Sequence, residues 1–140
     1  MIKTTPFSLI TFMAVATVVT LFEIALTAGA PWGSYAFGGQ NPGKLPDYLR
    51  VASMLQALIW ACWIALALVR CGVILPRLFQ LSKRLMWLVV ALNALALVLN
   101  TITPSEVERL LWAPIAALGL VSSFFVAIHK NGVGRVVCPN

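Results

Sequence analysis

The sequence predicts an all-α integral membrane protein, an antiparallel bundle of four transmembrane helices. Of its 140 residues, 61% are hydrophobic and 10% are charged, and the mean hydropathy is +0.94. An ordinary globular domain carries about 25% charged residues. This composition excludes a soluble protein, and the length suits a single domain covering residues 1–140.

Four apolar blocks define the expected helices. Each is long enough for the ~17–25 residues that a helix needs to span the hydrocarbon of a bilayer. The blocks are continuously apolar and lack the alternation of barrel strands, which indicates helices. The predicted spans are residues 7–28, 51–69, 85–102 and 110–128, and a Gly-rich loop covers residues 29–47.

The distribution of basic residues predicts the orientation. With four spans both termini share one side, which would hold seven lysines and arginines against three on the other. The seven are Lys3, Arg70, Arg77, Lys83, Arg84, Lys130 and Arg135, and the three are Lys44, Arg50 and Arg109. We expect both termini in the cytoplasm and the Gly-rich loop outside. Contact with anionic lipid accounts for the net charge of +6, so no nucleic-acid partner is expected.

No cofactor or metal site is predicted. His129 is the only histidine, so a bis-histidine haem site is excluded, and no Cys/His cluster has the spacing of a zinc site. The three cysteines, Cys62, Cys71 and Cys138, form no CxxC pair.

Polar residues inside the spans mark a candidate pocket. A polar or ionisable side chain facing lipid is costly, so such residues usually face the interior of the bundle. Three predicted helices bring polar groups to one depth near their outer ends. The candidate pocket residues are Glu23, Arg50, Ser53, Gln56, Asn93 and Asn100. Two readings remain open: Glu23 pairs with Arg50 and the amides only to hold the helices together, or the pocket is functional.

Three further expectations concern the loops and the aromatic residues. Trp32 and Tyr35 should lie against the outer ends of the first two helices, so that the loop closes the bundle. Ser105 should cap the fourth helix, with Glu108 reaching back in a capping box. Trp60 and Trp63 lie one turn apart, and packing between them is favoured over stacking on a flat ligand.

A set of motifs spans nearly the whole chain. It comprises Gly29-Ala30-Pro31-Trp32-Gly33, Gly38-Gly39, Leu45-Pro46, Leu49-Arg50 with Ser53, an asparagine in the third helix, and Ser105, Glu108-Arg109 and Trp112 with Pro114. In these motifs the chain resembles a group of uncharacterised small four-helix proteins of the bacterial inner membrane. The resemblance implies that location and adds no activity. Small multidrug transporters and glutathione-transferase-like membrane enzymes have a similar size, but their sequence motifs do not occur here.

Three classes of function follow in order. The first is a non-enzymatic protein that binds or transports a small solute or lipid through the outer pocket. For transport we expect a homo-oligomer, because four helices alone enclose little aqueous space for a translocation path. The alternative is an accessory or scaffolding subunit of a larger membrane complex, with Ala91, Ala94 and Ala96 as a contact stripe. An enzyme using Glu23 or Glu108 is least supported, because no nucleophile and base have a recognisable spacing.

Overall fold

The protein is described by a computed structural model covering residues 7–129. Within these residues there is no strand, and the all-helical fold class is confirmed. Each of the four long helices is long and apolar enough to cross a membrane. The helices are α1 (Phe7–Ala28), α2 (Asp47–Arg70), α3 (Phe79–Ile102) and α4 (Glu106–Ile128). Lys3, Lys130, Arg135 and Cys138, which entered the sequence arguments, lie outside the described residues.

Helix α1 has the predicted bounds, whereas the other three begin four to six residues before their apolar blocks. Each of the three extra segments contains at least two charged residues. Helix α2 begins with Asp47, and α4 begins after Ser105, whose hydroxyl accepts a hydrogen bond from the Glu108 amide at 3.2 Å. Charged or capped first turns stabilise a helix start. Hydropathy therefore marks the apolar part of each helix and misses its polar beginning.

Contacts between the helices are unequal. Helix α1 packs most closely on α2, and α3 on α4, while α2 and α3 make the least contact of the neighbouring pairs. The main core gathers side chains from the starts of α1 and α3 and the ends of α2 and α4. It contains Leu9, Phe12, Ala16, Ala67, Met86, Val89, Val126 and Ala127. This end of the bundle, called here the core end, is the tightly packed one.

Arg70 is buried at the core end, with 4% of its surface exposed. Its Nη2 donates a hydrogen bond of 2.7 Å to the carbonyl oxygen of Ala127, and its guanidinium carbon lies 5.1 Å from the centre of the Phe79 ring. A carbonyl in the last turn of a helix has no partner within the helix, so this bond satisfies a group that α4 leaves open. Arg70 thus joins α2, α3 and α4.

The Gly-rich loop, residues 29–46, folds over the other end of the bundle, called here the loop end. It contains two short 3-10 helices, Gly33–Tyr35 and Phe37–Gly39. Ala36 and Leu45 of the loop are buried in a second apolar cluster with Leu26 of α1. The loop therefore supplies part of the packing at the loop end.

Two aromatic contacts attach the loop to the helices. Trp32 stacks on Phe22 of α1, with ring centres 6.0 Å apart and planes 12° apart. Trp112 of α4 also meets Phe22, edge to face at 4.6 Å, and its Nε1 donates a 2.7 Å hydrogen bond to the carbonyl of Tyr35. Trp32 lies against α1 as expected, and the tie to α4 was not anticipated.

The loop fold should depend on the absence of a side chain at Gly33. Its amide donates to the Gly43 carbonyl at 2.9 Å, and a Cβ there would lie 2.0 Å from the Asn41 carbonyl oxygen. We expect Gly33→Ala to destabilise the protein by about 1–3 kcal/mol, the usual cost of overpacking. Thermal unfolding in detergent measures this, with Ser34→Ala as the control. An unchanged midpoint for Gly33→Ala would contradict the described loop.

Candidate functional site

A cavity of ≈500 Å³ lies beneath the Gly-rich loop and reaches towards mid-helix. All four helices and the loop contribute to its wall. Its volume is within the ~300–1,000 Å³ of typical ligand pockets, which are mainly apolar with a few polar groups. Aromatic side chains form much of the lining: Phe22, Tyr35, Phe37, Trp60, Trp63 and Trp112. We call this space the loop-end cavity.

Four of the six predicted pocket residues line the loop-end cavity: Glu23 on α1, Gln56 on α2, and Asn93 and Asn100 on α3. The other two, Arg50 and Ser53, lie outside the lining. Ser53 is nonetheless completely buried and faces the Glu23 carboxyl group. The structure therefore brings the polar residues of three helices together, with Arg50 as the exception.

Glu23 faces the interior, as expected, and only 7% of its surface is exposed. The Ser53 hydroxyl lies beside its carboxyl group. Glu23 Oε2 and Ser53 Oγ are both buried without a hydrogen bond. A buried polar atom without a partner costs about 1–3 kcal/mol. The Glu23 side chain thus lines the cavity while its Oε2 atom is enclosed by the protein.

Arg50 corrects the structural reading of the pocket. Its Nε donates to the carbonyl oxygen of Thr27 at 2.9 Å, and its Nη1 forms an ion pair with Asp47 Oδ1 at 3.0 Å. These bonds tie the start of α2 to the last turn of α1. The pairing of Arg50 with Glu23, one of the two readings left open by the sequence, is not formed; the partner of Arg50 is Asp47, one turn before it on the same helix.

The amides of α3 bond to their own helix. Asn93 Nδ2 donates to the Val89 carbonyl at 2.9 Å, and Asn100 Nδ2 donates to the Ala96 carbonyl at 2.8 Å. The first bond fixes the orientation of the Asn93 amide and leaves Oδ1 buried without a partner. Neither Nδ2 group donates a hydrogen bond to a neighbouring helix. The donors of these two amides therefore do not hold the helices together.

Glu108 is a lining residue that the pocket prediction missed. Its carboxylate accepts a 2.7 Å hydrogen bond from the Thr103 hydroxyl, where the capping box had placed the Ser105 amide. The N-cap role of Ser105 is confirmed. Glu108, Trp112 and Ile115 all line the cavity. Their spacing of four and three residues puts them on one helix face, a signal that was present in the sequence.

Trp60 and Trp63 pack edge to face with ring centres 4.7 Å apart, which confirms the contact between them. Both rings also line the cavity. The lining further includes Ile59, Leu95 and Leu99, each 48–53% exposed on the outside of the bundle. These side chains belong to α2 and α3, the neighbouring pair with the least contact. The cavity is therefore open sideways between α2 and α3.

Among residues 7–129, no group of three or more His, Cys, Asp or Glu side chains could hold a metal ion. The lining offers hydrogen-bond acceptors, two carboxyl groups and aromatic faces. Binding of a small molecule needs no more than these groups.

The approach of α3 to α4 should depend on Gly119. A Cβ at this position would lie 2.8 Å from Asn93 Oδ1 and 3.4 Å from a Val15 methyl carbon. We expect Gly119→Ala to destabilise the protein by about 1–3 kcal/mol. The double variant with Asn93→Ala should lose less stability than the sum of the two single variants, because the Asn93 side chain that the new Cβ would meet is absent. Additive unfolding midpoints would show that the two residues do not interact.

The chain matches no protein-family model, no curated protein and no solved structure, so the cavity and its lining are the basis for inferring a function.

Proposed function

We propose that this chain is a multi-pass protein of the bacterial inner membrane that binds a small amphipathic solute or lipid in the loop-end cavity. The observation that carries the proposal is a 500 Å³ cavity lined by aromatic residues and by a few polar side chains, among them Glu23, Asn93 and Glu108. A mainly apolar wall with a small number of polar groups is typical of a site that binds a small molecule.

Access from the membrane is supported by where the cavity is covered and where it is open. The Gly-rich loop lies over the loop end, with Tyr35, Ala36 and Phe37 in the cavity wall. The sideways opening is bordered by exposed leucines of α3. In a bilayer this opening would face hydrocarbon. A molecule dissolved in the outer leaflet could then enter without crossing the loop.

The membrane placement rests on the exposed surface. Large apolar side chains are more than 40% exposed on all four helices, among them Ile10, Leu58, Leu88 and Phe125. Exposed apolar surface of this extent is typical of a protein that contacts lipid or a partner. The helices would alternate in direction, with both termini in the cytoplasm and the loop outside.

The orientation can be tested with single cysteines in a background without the native ones. Gln40→Cys lies on the exposed surface of the Gly-rich loop, and Arg77→Cys lies on the exposed α2–α3 connection. A membrane-impermeant maleimide added from outside should label the first in intact cells and the second only after permeabilisation. The reverse pattern would invert the topology.

The binding function can be tested by filling the cavity. Ala96→Phe places a ring in the cavity wall, whereas Ala91→Phe places it on the exposed surface of the same helix. Native mass spectrometry of the protein released from nanodiscs should show a bound small molecule in wild type and Ala91→Phe. Occupancy should fall at least about tenfold in Ala96→Phe, because a ring's volume blocks the site. Equal occupancy in all three would place the molecule elsewhere.

The accessory-subunit alternative needs an open contact face. Its expected alanine stripe is divided in the structure: Ala91 is exposed, Ala94 is half-buried, and Ala96 lines the cavity. This division favours the binding function. A stoichiometric protein partner isolated at native expression levels would support the accessory role instead.

A further inference from the structure

We propose that the ligand of the loop-end cavity is an organic ammonium ion with an apolar body, an inference that rests on the proposed binding function. The site combines two carboxyl groups, aromatic faces and amides whose N–H groups are already bonded. Each of these features favours a cation that donates hydrogen bonds.

The lining favours a ligand that donates hydrogen bonds. The carboxyl groups of Glu23 and Glu108 line the cavity, and ionised carboxyl groups only accept hydrogen bonds. The amide donors of Asn93 and Asn100 are already bonded to the carbonyl groups of Val89 and Ala96. A ligand with N–H groups would therefore find acceptors in the wall, whereas a ligand that offers only acceptors would find these amide donors occupied.

The charges of the lining have one sign. Glu23 and Glu108 line the cavity, and within the described part of the chain no lysine, arginine or histidine does. Arg50, the basic residue of the predicted pocket, lies outside the lining and is held by Asp47 and the Thr27 carbonyl. An anionic ligand would meet two carboxyl groups without a counter-charge. A cationic ligand would supply the counter-charge that Glu23 lacks.

The aromatic wall suits the same ligand. Trp60 and Trp63 both line the cavity, and tryptophan is the side chain that attracts a cation most strongly through its ring face. The rest of the lining is largely aliphatic, with Val15, Val19 and Leu92 among its residues. An apolar body would bury its surface there while the ammonium group meets Glu23.

The test compares three ligands with one aromatic body: naphthylethylamine, naphthylethanol and naphthylacetate. Binding to the full chain in phosphatidylcholine nanodiscs is measured by equilibrium dialysis and corrected with empty nanodiscs. We expect the amine to bind at least about tenfold more tightly than the alcohol, because it adds a charge-assisted hydrogen bond, and the acetate to bind most weakly.

The variants separate a local contact from a general effect of charge. Glu23→Gln should weaken amine binding roughly 10- to 100-fold and leave alcohol binding nearly unchanged. Glu106→Gln removes one negative charge from the first turn of α4 at an exposed side chain outside the cavity lining. It should change amine binding less than about twofold. Equal losses in both variants would overturn the proposal.

Thermal unfolding checks that each variant is folded. If Glu23→Gln does not fold, Glu108→Gln carries the test, and it should weaken amine binding roughly 3- to 10-fold by removing the second carboxylate of the lining. Unchanged amine affinity in Glu108→Gln would then contradict the assignment.

Two further results distinguish the possible failures and sources. If the alcohol or the acetate binds as tightly as the amine, and Ala96→Phe abolishes that binding, the ligand class is wrong but the binding function stands. If none of the three binds to any variant, both proposals fail. Adding phosphatidylethanolamine to the nanodiscs identifies the source of the ammonium group. If this lipid lowers naphthylethylamine binding, the natural ligand is an aminolipid headgroup. If naphthylethylamine binding is unchanged, the natural ligand is a free amine.

Discussion

The tight packing at the core end determines how the rest of the bundle is arranged. Phe12 and Met86 are fully buried there, and Arg70 joins three helices through the Ala127 carbonyl and the Phe79 ring. Helices joined at one end can separate towards the other, particularly α2 and α3, which contact each other least. The loop end is therefore completed by the Gly-rich loop and leaves a cavity below it.

The polar groups in this cavity have a different role from those elsewhere in the bundle. Arg50, Asp47 and Thr27 satisfy one another at the junction of α1 and α2, and they explain how that hairpin is held. Glu23 and Asn93 lie in a mainly apolar wall, and each has one buried oxygen without a hydrogen-bond partner. In a fold of marginal stability, two such groups are a measurable cost. The proposed binding function gives a physical reason for keeping polar side chains in this wall.

The sequence predicted those features that depend on one large free-energy cost, the placing of polar groups in contact with lipid. Long apolar runs located the four helices, and the cost of exposing Glu23 and Asn93 to lipid predicted that they face inwards. The partner of Arg50 was not predicted, because the apolar block begins at Val51 and Asp47 lies before it, whereas α2 begins at Asp47 and brings the two side chains one turn apart. The burial of Arg70 depends on contacts with Ala127 and Phe79, and no local pattern reveals such distant partners.

The sideways opening between α2 and α3 also determines which ligand concentration would set the occupancy of the proposed site. A site that fills from hydrocarbon equilibrates with the amount of ligand dissolved in the bilayer, and the aqueous concentration matters only through partitioning. Each methylene adds about 0.8 kcal/mol to partitioning, so two raise the local concentration by roughly tenfold. In a homologous series, occupancy would rise with chain length even without new protein contacts. With Ile59, Leu95 and Leu99 at its border, the proposed site would thus fill according to the ligand dissolved in the membrane.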